Sequence, residues 1–304
     1  MAPPRARPED LPPALPGERF VIDGGPAGRI ACYSAGPARS ELPPLVLVHS
    51  VNAAASAAEM RPLYVREIGS RRVFAPDLPG FGASERSRRP YTPRLMTDAL
   101  HAVLGEVAAR CGPQPADLLS LSLGCEFAVR AAVEAPRALR TLSLVSPTGF
   151  AGTRPRHGAP GGVVGPAWAE RLVRGPGWGG PLFRALTRPG VIRYFLRRTW
   201  GAREIDEDLW RCAVQTAQVE GAEHAPLAFL AARLFSADIG TLVGRLTLPV
   251  WVIHGVRGDF TDYRGLAALQ GRPNWRVSVY ETGALPYFEQ PEAFVRELDA
   301  FLAA

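Results

Sequence analysis

Short apolar runs bounded by turn residues recur along this chain, and longer segments of helical period separate them. That alternation requires a mostly parallel sheet covered by helices, because a strand buried on both faces has no polar side to alternate. The run at residues 45–49 (Leu-Val-Leu-Val-His) is the clearest, and residues 73–75, 117–121, 141–145, 250–254 and 277–280 continue the series. Residues 19–22 and 29–33, joined through Gly24-Gly25-Pro26, read as an opening hairpin. Helical segments fall between the strands at 59–68, 93–110, 123–134 and 291–302.

The register breaks after Thr148. Residues 149–166 are rich in glycine and proline, and residues 167–237 read as helix without a strand, including Trp168, Trp178, Trp200 and Trp210. Sheet texture resumes at Leu248. The expected architecture is therefore α/β, with an eight-stranded, mostly parallel sheet built from residues 19–148 and 240–304. A helical cap at 149–239, inserted after the sixth strand and flanked by flexible loops, is expected to lie over the strands' C-terminal edge. Open α/β sheets bind their ligands at that edge. The proline-rich residues 1–18 lack an apolar stretch and read as a disordered lead-in, not a secretion signal.

Composition narrows the partners. The formal charge is +6 and every basic side chain other than histidine is arginine, a bias that reflects genome base composition. No basic run interleaved with aromatics stands out in the linear text, so no nucleic-acid partner is expected. No segment approaches the ~20 apolar residues that span a bilayer, and no membrane partner is expected. Cys32, Cys111, Cys125 and Cys212 match neither a metal knuckle nor a disulfide framework; free thiols in the cytoplasm, with no metal and no cofactor, are the expectation.

Ser120-Leu121-Ser122-Leu123-Gly124 lies between a strand and a helix. A nucleophile there occupies a sharp strand-to-helix turn, and small residues two before and two after it relieve the crowding. Asp77-Leu78-Pro79-Gly80-Phe81-Gly82-Ala83-Ser84 follows an earlier strand, and His49 ends another. With these segments the chain resembles the α/β-hydrolase superfamily, its cap-bearing esterase and C–C hydrolase branch in particular. The resemblance runs from about Phe20 to Leu302, the cap excepted, and implies the α/β-hydrolase fold. It makes the Asp77–Ser84 loop structural.

The resemblance also implies roles. Ser122 is the nucleophile, and the oxyanion hole takes one backbone N–H from Leu123 and another from Val51 in His49-Ser50-Val51-Asn52, where Ser50 stands in a glycine position. Asn52 offers a side-chain donor instead, and His49 a packing and hydrogen-bonding role. Asp259 is the acid, one residue later than the commonest spacing; Asp262 is the alternative, as an N-cap. The base position, in Thr282-Gly283-Ala284-Leu285-Pro286-Tyr287-Phe288-Glu289-Gln290-Pro291, holds Ala284. A methyl group accepts no proton, and a serine without a positioned base is a poor nucleophile. Of the five histidines, His224 in the cap is the substitute to test; His101, His157 and His254 are less well placed.

Three functions follow. The first is hydrolysis of a small ester, thioester or related carbonyl compound with an apolar part, its proton taken by His224, water or the substrate. The others are a lyase, cyclase or isomerase on the same scaffold, and a non-catalytic ligand-binding or scaffolding protein. Ser122 is expected at the mouth of a pocket between sheet and cap, with the His224 ring lining the same cavity.

Overall fold

Apolar strands that cannot face water on either side stack into the centre of an eight-stranded sheet, ordered β1-β2-β4-β3-β5-β6-β7-β8. The computed structural model describes residues 5–152, 155–175, 177–269 and 271–303. The strands are β1 (Glu18–Asp23), β2 (Arg29–Ala35), β3 (Leu45–Val48), β4 (Val73–Pro76), β5 (Ala116–Leu121), β6 (Leu139–Val145), β7 (Val250–Gly255) and β8 (Trp275–Tyr280). β2 runs antiparallel to β1 and β4, and the remaining pairings are parallel. Every residue of β3, β4 and β5 is buried, while the edge strands β1 and β8 expose Val21, Val277 and Val279.

Helices α1 (Arg61–Glu67), α2 (Pro93–Cys111) and α3 (Gly124–Glu134) follow β3, β4 and β5. Six more, α4 (Ala167–Val173), α5 (Gly179–Leu186), α6 (Pro189–Trp200), α7 (Glu207–Thr216), α8 (His224–Leu230) and α9 (Ile239–Gly244), lie between β6 and β7 as the cap. The chain closes with α10 (Pro286–Glu289) and α11 (Pro291–Leu302). One hydrophobic cluster joins the sheet to α2, α3 and α9, and a second joins it to α1, α10 and α11. A third unites α5, α6, α7 and α8 with Ala54 of the loop after β3, seating the cap on the core.

Two sequence expectations change. Residues 5–17 are not a loose lead-in, because side chains of the core and backbone of the cap bond to them. Leu15 is 2% exposed, Arg61 donates to Ala14 O (3.1 Å), Tyr64 donates to Pro16 O (3.0 Å), and Glu220 N–H donates to Ala6 O (2.9 Å). Residues 1–4 lie outside the described residues. The glycine- and proline-rich neck, expected as a flexible loop, is also tied down. Its Gly158 and Val164 N–H groups donate to Ala237 O and Phe235 O, and Val163 bridges Ser236.

Candidate active site

β3 has β4 on one side and β5 on the other, so the connections leaving β3 (to α1) and β5 (to α3) part to opposite faces of the sheet and open a crevice at the C-terminal edge. Val48 pairs with Ser120, which brings the loop after β3 beside the turn after β5. Ser122 sits in that turn at φ +55°, half-buried. A serine in the left-handed region costs on the order of 1–3 kcal/mol and persists only where its surroundings impose it. Here Ser122 N–H donates to Val145 O (2.8 Å), and Ser122 O accepts from Cys125 N–H (3.1 Å) and Thr148 N–H (3.4 Å). Gly124 opens α3 because a Cβ there would lie 2.5 Å from His49 O and 2.8 Å from Ser120 Oγ. Among the described residues neither Leu123 N–H nor Val51 N–H has a hydrogen-bond partner, leaving both donors free.

The loop after β3 is built around a buried carboxylate. Glu59 accepts from Ser50 N–H (2.8 Å), Ser50 Oγ (3.0 Å) and Asn52 Nδ2 (2.8 Å), and burial raises its pKa. Ser50 in a glycine position thus anchors the loop through its hydroxyl. The Asn52 amide is spent inside the loop, its nitrogen on Ser50 and Glu59 and its oxygen on Ala54 N–H, so it shapes the loop and does not point at a ligand. His49 is fully buried. Its Nε2 accepts from Leu78 N–H (2.8 Å), which leaves Nδ1 protonated and donating to Ser50 O (2.6 Å). Burial pulls its pKa down to about 4, so it is a neutral cross-tie between two loops. Asp77, pushed up to about 6 by burial, accepts from Ala57 and Ala83 N–H groups and holds its own loop.

The acid and base positions are differently employed. Both Asp259 oxygens accept from Arg198 of α6, at 2.5 Å each. Asp262 accepts from Gly152 N–H and from the Arg264 side chain and backbone, a turn-stabilising role. A helix leaves its last four carbonyls without intrahelical donors. α6 finds two in these loops: Asp259 N–H donates to Arg198 O (3.3 Å) and Ala284 N–H to Thr199 O (2.9 Å). Gly283 lies so close beneath α6 that a Cβ would come within 2.3 Å of Trp200 O. The loops that would carry acid and base therefore serve as the seat of α6.

No imidazole hydrogen-bonds Ser122 among the described residues. His101 pairs with Glu134 (3.0 Å), His157 with Thr241 (3.0 Å), and the His254 ring stacks on Tyr263 with centroids 3.9 Å apart. His224 heads α8, half-buried, its pKa lowered mainly by desolvation, with Glu223 opposing and Arg174 and Arg88 adding to the fall. A cavity of about 530 Å³ opens beside the elbow, walled by Ser146, Thr148, Arg156, Phe235, Asp259 and Tyr263. It touches the elbow through Thr148, but neither Ser122 nor His224 lines it. Glu126, buried in the first turn of α3, accepts from Thr148 Oγ1 (2.6 Å), Arg156 and Ser236 N–H (2.8 Å), fixing that wall. Sequence reasoning missed Glu126, Arg156 and Tyr263; only the position of Glu126 four residues after Ser122 hinted at one of them. None of the cap tryptophans lines the cavity; Trp168 and Trp178 face solvent.

Known proteins share this fold. A probable hydrolytic enzyme of Pseudomonas aeruginosa superposes with a TM-score of 0.72 at 20% identity, over 98% of each chain. An enol-lactonase of Burkholderia xenovorans gives 0.69 at 18% identity, over 94% of this chain and 100% of that one. A carboxylesterase of Bacillus subtilis gives 0.69 at 17% identity, over 97% and 93%. At these identities the likeness is one of fold. No curated protein matches the sequence. The model of the alpha/beta hydrolase family matches residues 45–297, most of the chain, and the protein belongs to that family.

Proposed function

We propose that the protein binds small carbonyl compounds with an apolar part, esters or thioesters, and that Ser122 attacks them slowly. The observation carrying this reading is the strained Ser122 turn, kept at φ +55° beside the two free N–H groups of Leu123 and Val51. Those donors suit a developing oxyanion, and such a pair supplies rate acceleration without a base. With Ala284 in the base position, water or the substrate takes the serine proton; His224 would have to act through water. Loss of a catalytic histidine costs on the order of 10⁶ in turnover in a serine protease and leaves ~10³–10⁴ over water. The four free cysteines fit a reducing cytoplasm, and no helix among the described residues is long and apolar enough to cross a membrane.

The test is a fluorophosphonate probe followed by intact mass and peptide mapping. One adduct on Ser122, absent from Ser122→Ala, is expected, with p-nitrophenyl ester turnover below ~1 per second. An unchanged result in His224→Ala would assign the proton to water or substrate. No adduct on the folded protein would favour the second reading, a ligand-binding protein without chemistry. The commitment of Asp259 to Arg198 supports that reading.

A further inference from the structure

The +6 formal charge of the chain is not spread over it. Residues 167–200, from α4 through α6, hold seven arginines and one glutamate, leaving 28 basic and 28 acidic residues elsewhere. Four of these arginines, Arg171, Arg184, Arg188 and Arg197, are exposed and meet no carboxylate among the described residues. The same stretch carries exposed apolar side chains: Trp168 (65%), Leu172 (58%), Trp178 (43%), Tyr194 (53%) and Phe195 (51%). Trp168, Arg171 and Leu172 are spaced three and four apart and share one face of α4. In α6 the Arg198 guanidinium lies over the Tyr194 ring, and residues 193–200 interleave three arginines with Tyr194, Phe195 and Trp200. The linear reading passed over that run. α4 and α5 both pack on α8, and α5 on α6, so α8 joins the three helices within the cap.

Exposed arginine beside exposed tryptophan and leucine is the chemistry of a bilayer interface. Arginine meets anionic headgroups, the indole sits at headgroup level and the aliphatic side chain enters the acyl boundary. We propose that α4–α6 dock the cap on an anionic phospholipid surface, without crossing it. The absence of a spanning helix bears on crossing alone. A symmetric contact with a second copy would set this net positive stretch against itself. Nucleic acid would match the charge but has no use for Leu172.

The test is co-sedimentation of the full chain with vesicles of phosphatidylcholine, and of phosphatidylcholine mixed with phosphatidylglycerol. Pelleting with the mixed vesicles only, weakened by salt, is expected. Each surface arginine contributes roughly fivefold in partitioning, so the R184E/R188E double variant, which also adds two negative charges, should bind at least about thirtyfold more weakly. Trp168→Ala with Leu172→Ala should also weaken binding while leaving the charge intact. The proposal is overturned by equal pelleting with neutral vesicles, by no pelleting at low salt, or by double variants that bind like the parent. Displacement from mixed vesicles by single-stranded RNA with no effect of the Trp168/Leu172 change would assign the patch to nucleic acid. A dimer that persists in parent protein and disappears in R184E/R188E, with no vesicle binding, would assign it to a second copy.

Discussion

His49 shows how a histidine just after β3, beside the candidate site, can be wholly structural. Its ring is saturated by Leu78 N–H and Ser50 O and packs edge-on against Phe81, so the loop that carries Val51 hangs on a neutral imidazole. Acid attacks that cross-tie. In the unfolded chain the ring takes a proton below its ordinary value near 6.5, whereas in the fold it resists down to about 4. The unfolded state therefore binds more protons between those values, and stability is lost as pH falls through them, by roughly 3 kcal/mol for this residue. His49→Gln cannot charge, so its deficit relative to the parent should shrink by about that amount between about pH 7 and pH 4. Urea unfolding of both proteins across this range measures it, and a pH-independent gap would mean the ring is not neutral in the fold. Asp77 works in the opposite sense, since its carboxyl is raised, and comparing parent with variant cancels its contribution.

Helix α6 decides what the loops after β7 and β8 can do. Its final carbonyls take Asp259 N–H and Ala284 N–H, and its Arg198 grips both oxygens of Asp259. Restoring the imidazole alone should therefore fail. Ala284→His is expected to leave p-nitrophenyl ester hydrolysis within about tenfold of the parent, because a triad histidine needs an orienting carboxylate and this one is engaged. A gain of several orders of magnitude in steady-state hydrolysis would show that Asp259 leaves Arg198 for the new ring. The element scale also marks how far the sequence could be read. The buried parallel strands were legible because apolar residues predominate there, Asp117 and Ser120 of β5 being exceptions, and the Ser122 turn because Gly124 has no room for a side chain. The task of Asp259 was not legible, since its partner lies 61 residues earlier in a cap helix that no local pattern pairs with it. Glu126 was hidden for the same reason, its partner Arg156 lying in the neck and Ser236 beyond it.

At the scale of the whole molecule, cap and core are further tied by a segment whose sequence promised nothing. Residues 5–17 have too many prolines for a periodic element, and their bonds use backbone carbonyls, which carry no sequence signature. Arg19 reads Leu11 O and Glu9 O, Arg61 reads Ala14 O, and Tyr64 reads Pro16 O. At one end Arg5 pairs with Glu223 (3.1 Å) beside α8, and Leu11 packs on the cap cluster; at the other, Leu15 enters the core beneath α1. The segment thus spans both layers and ends where β1 begins. If it were a loose lead-in, shortening Leu15 would be silent. Because Leu15 is 2% exposed, Leu15→Ala removes a buried side chain and leaves a hole, and should cost about 2–4 kcal/mol in urea unfolding. Leu42→Ala is the matched control, since Leu42 is 42% exposed and its truncation should cost well under 1 kcal/mol. The strap adds a second expectation: with Leu15 gone, its grip on the cap through Arg5 and Ala6 should slacken, and amide exchange at Glu220 should quicken before that of β5. Equal unfolding midpoints for Leu15→Ala and Leu42→Ala, with unchanged exchange at Glu220, would return residues 5–17 to the role of a lead-in.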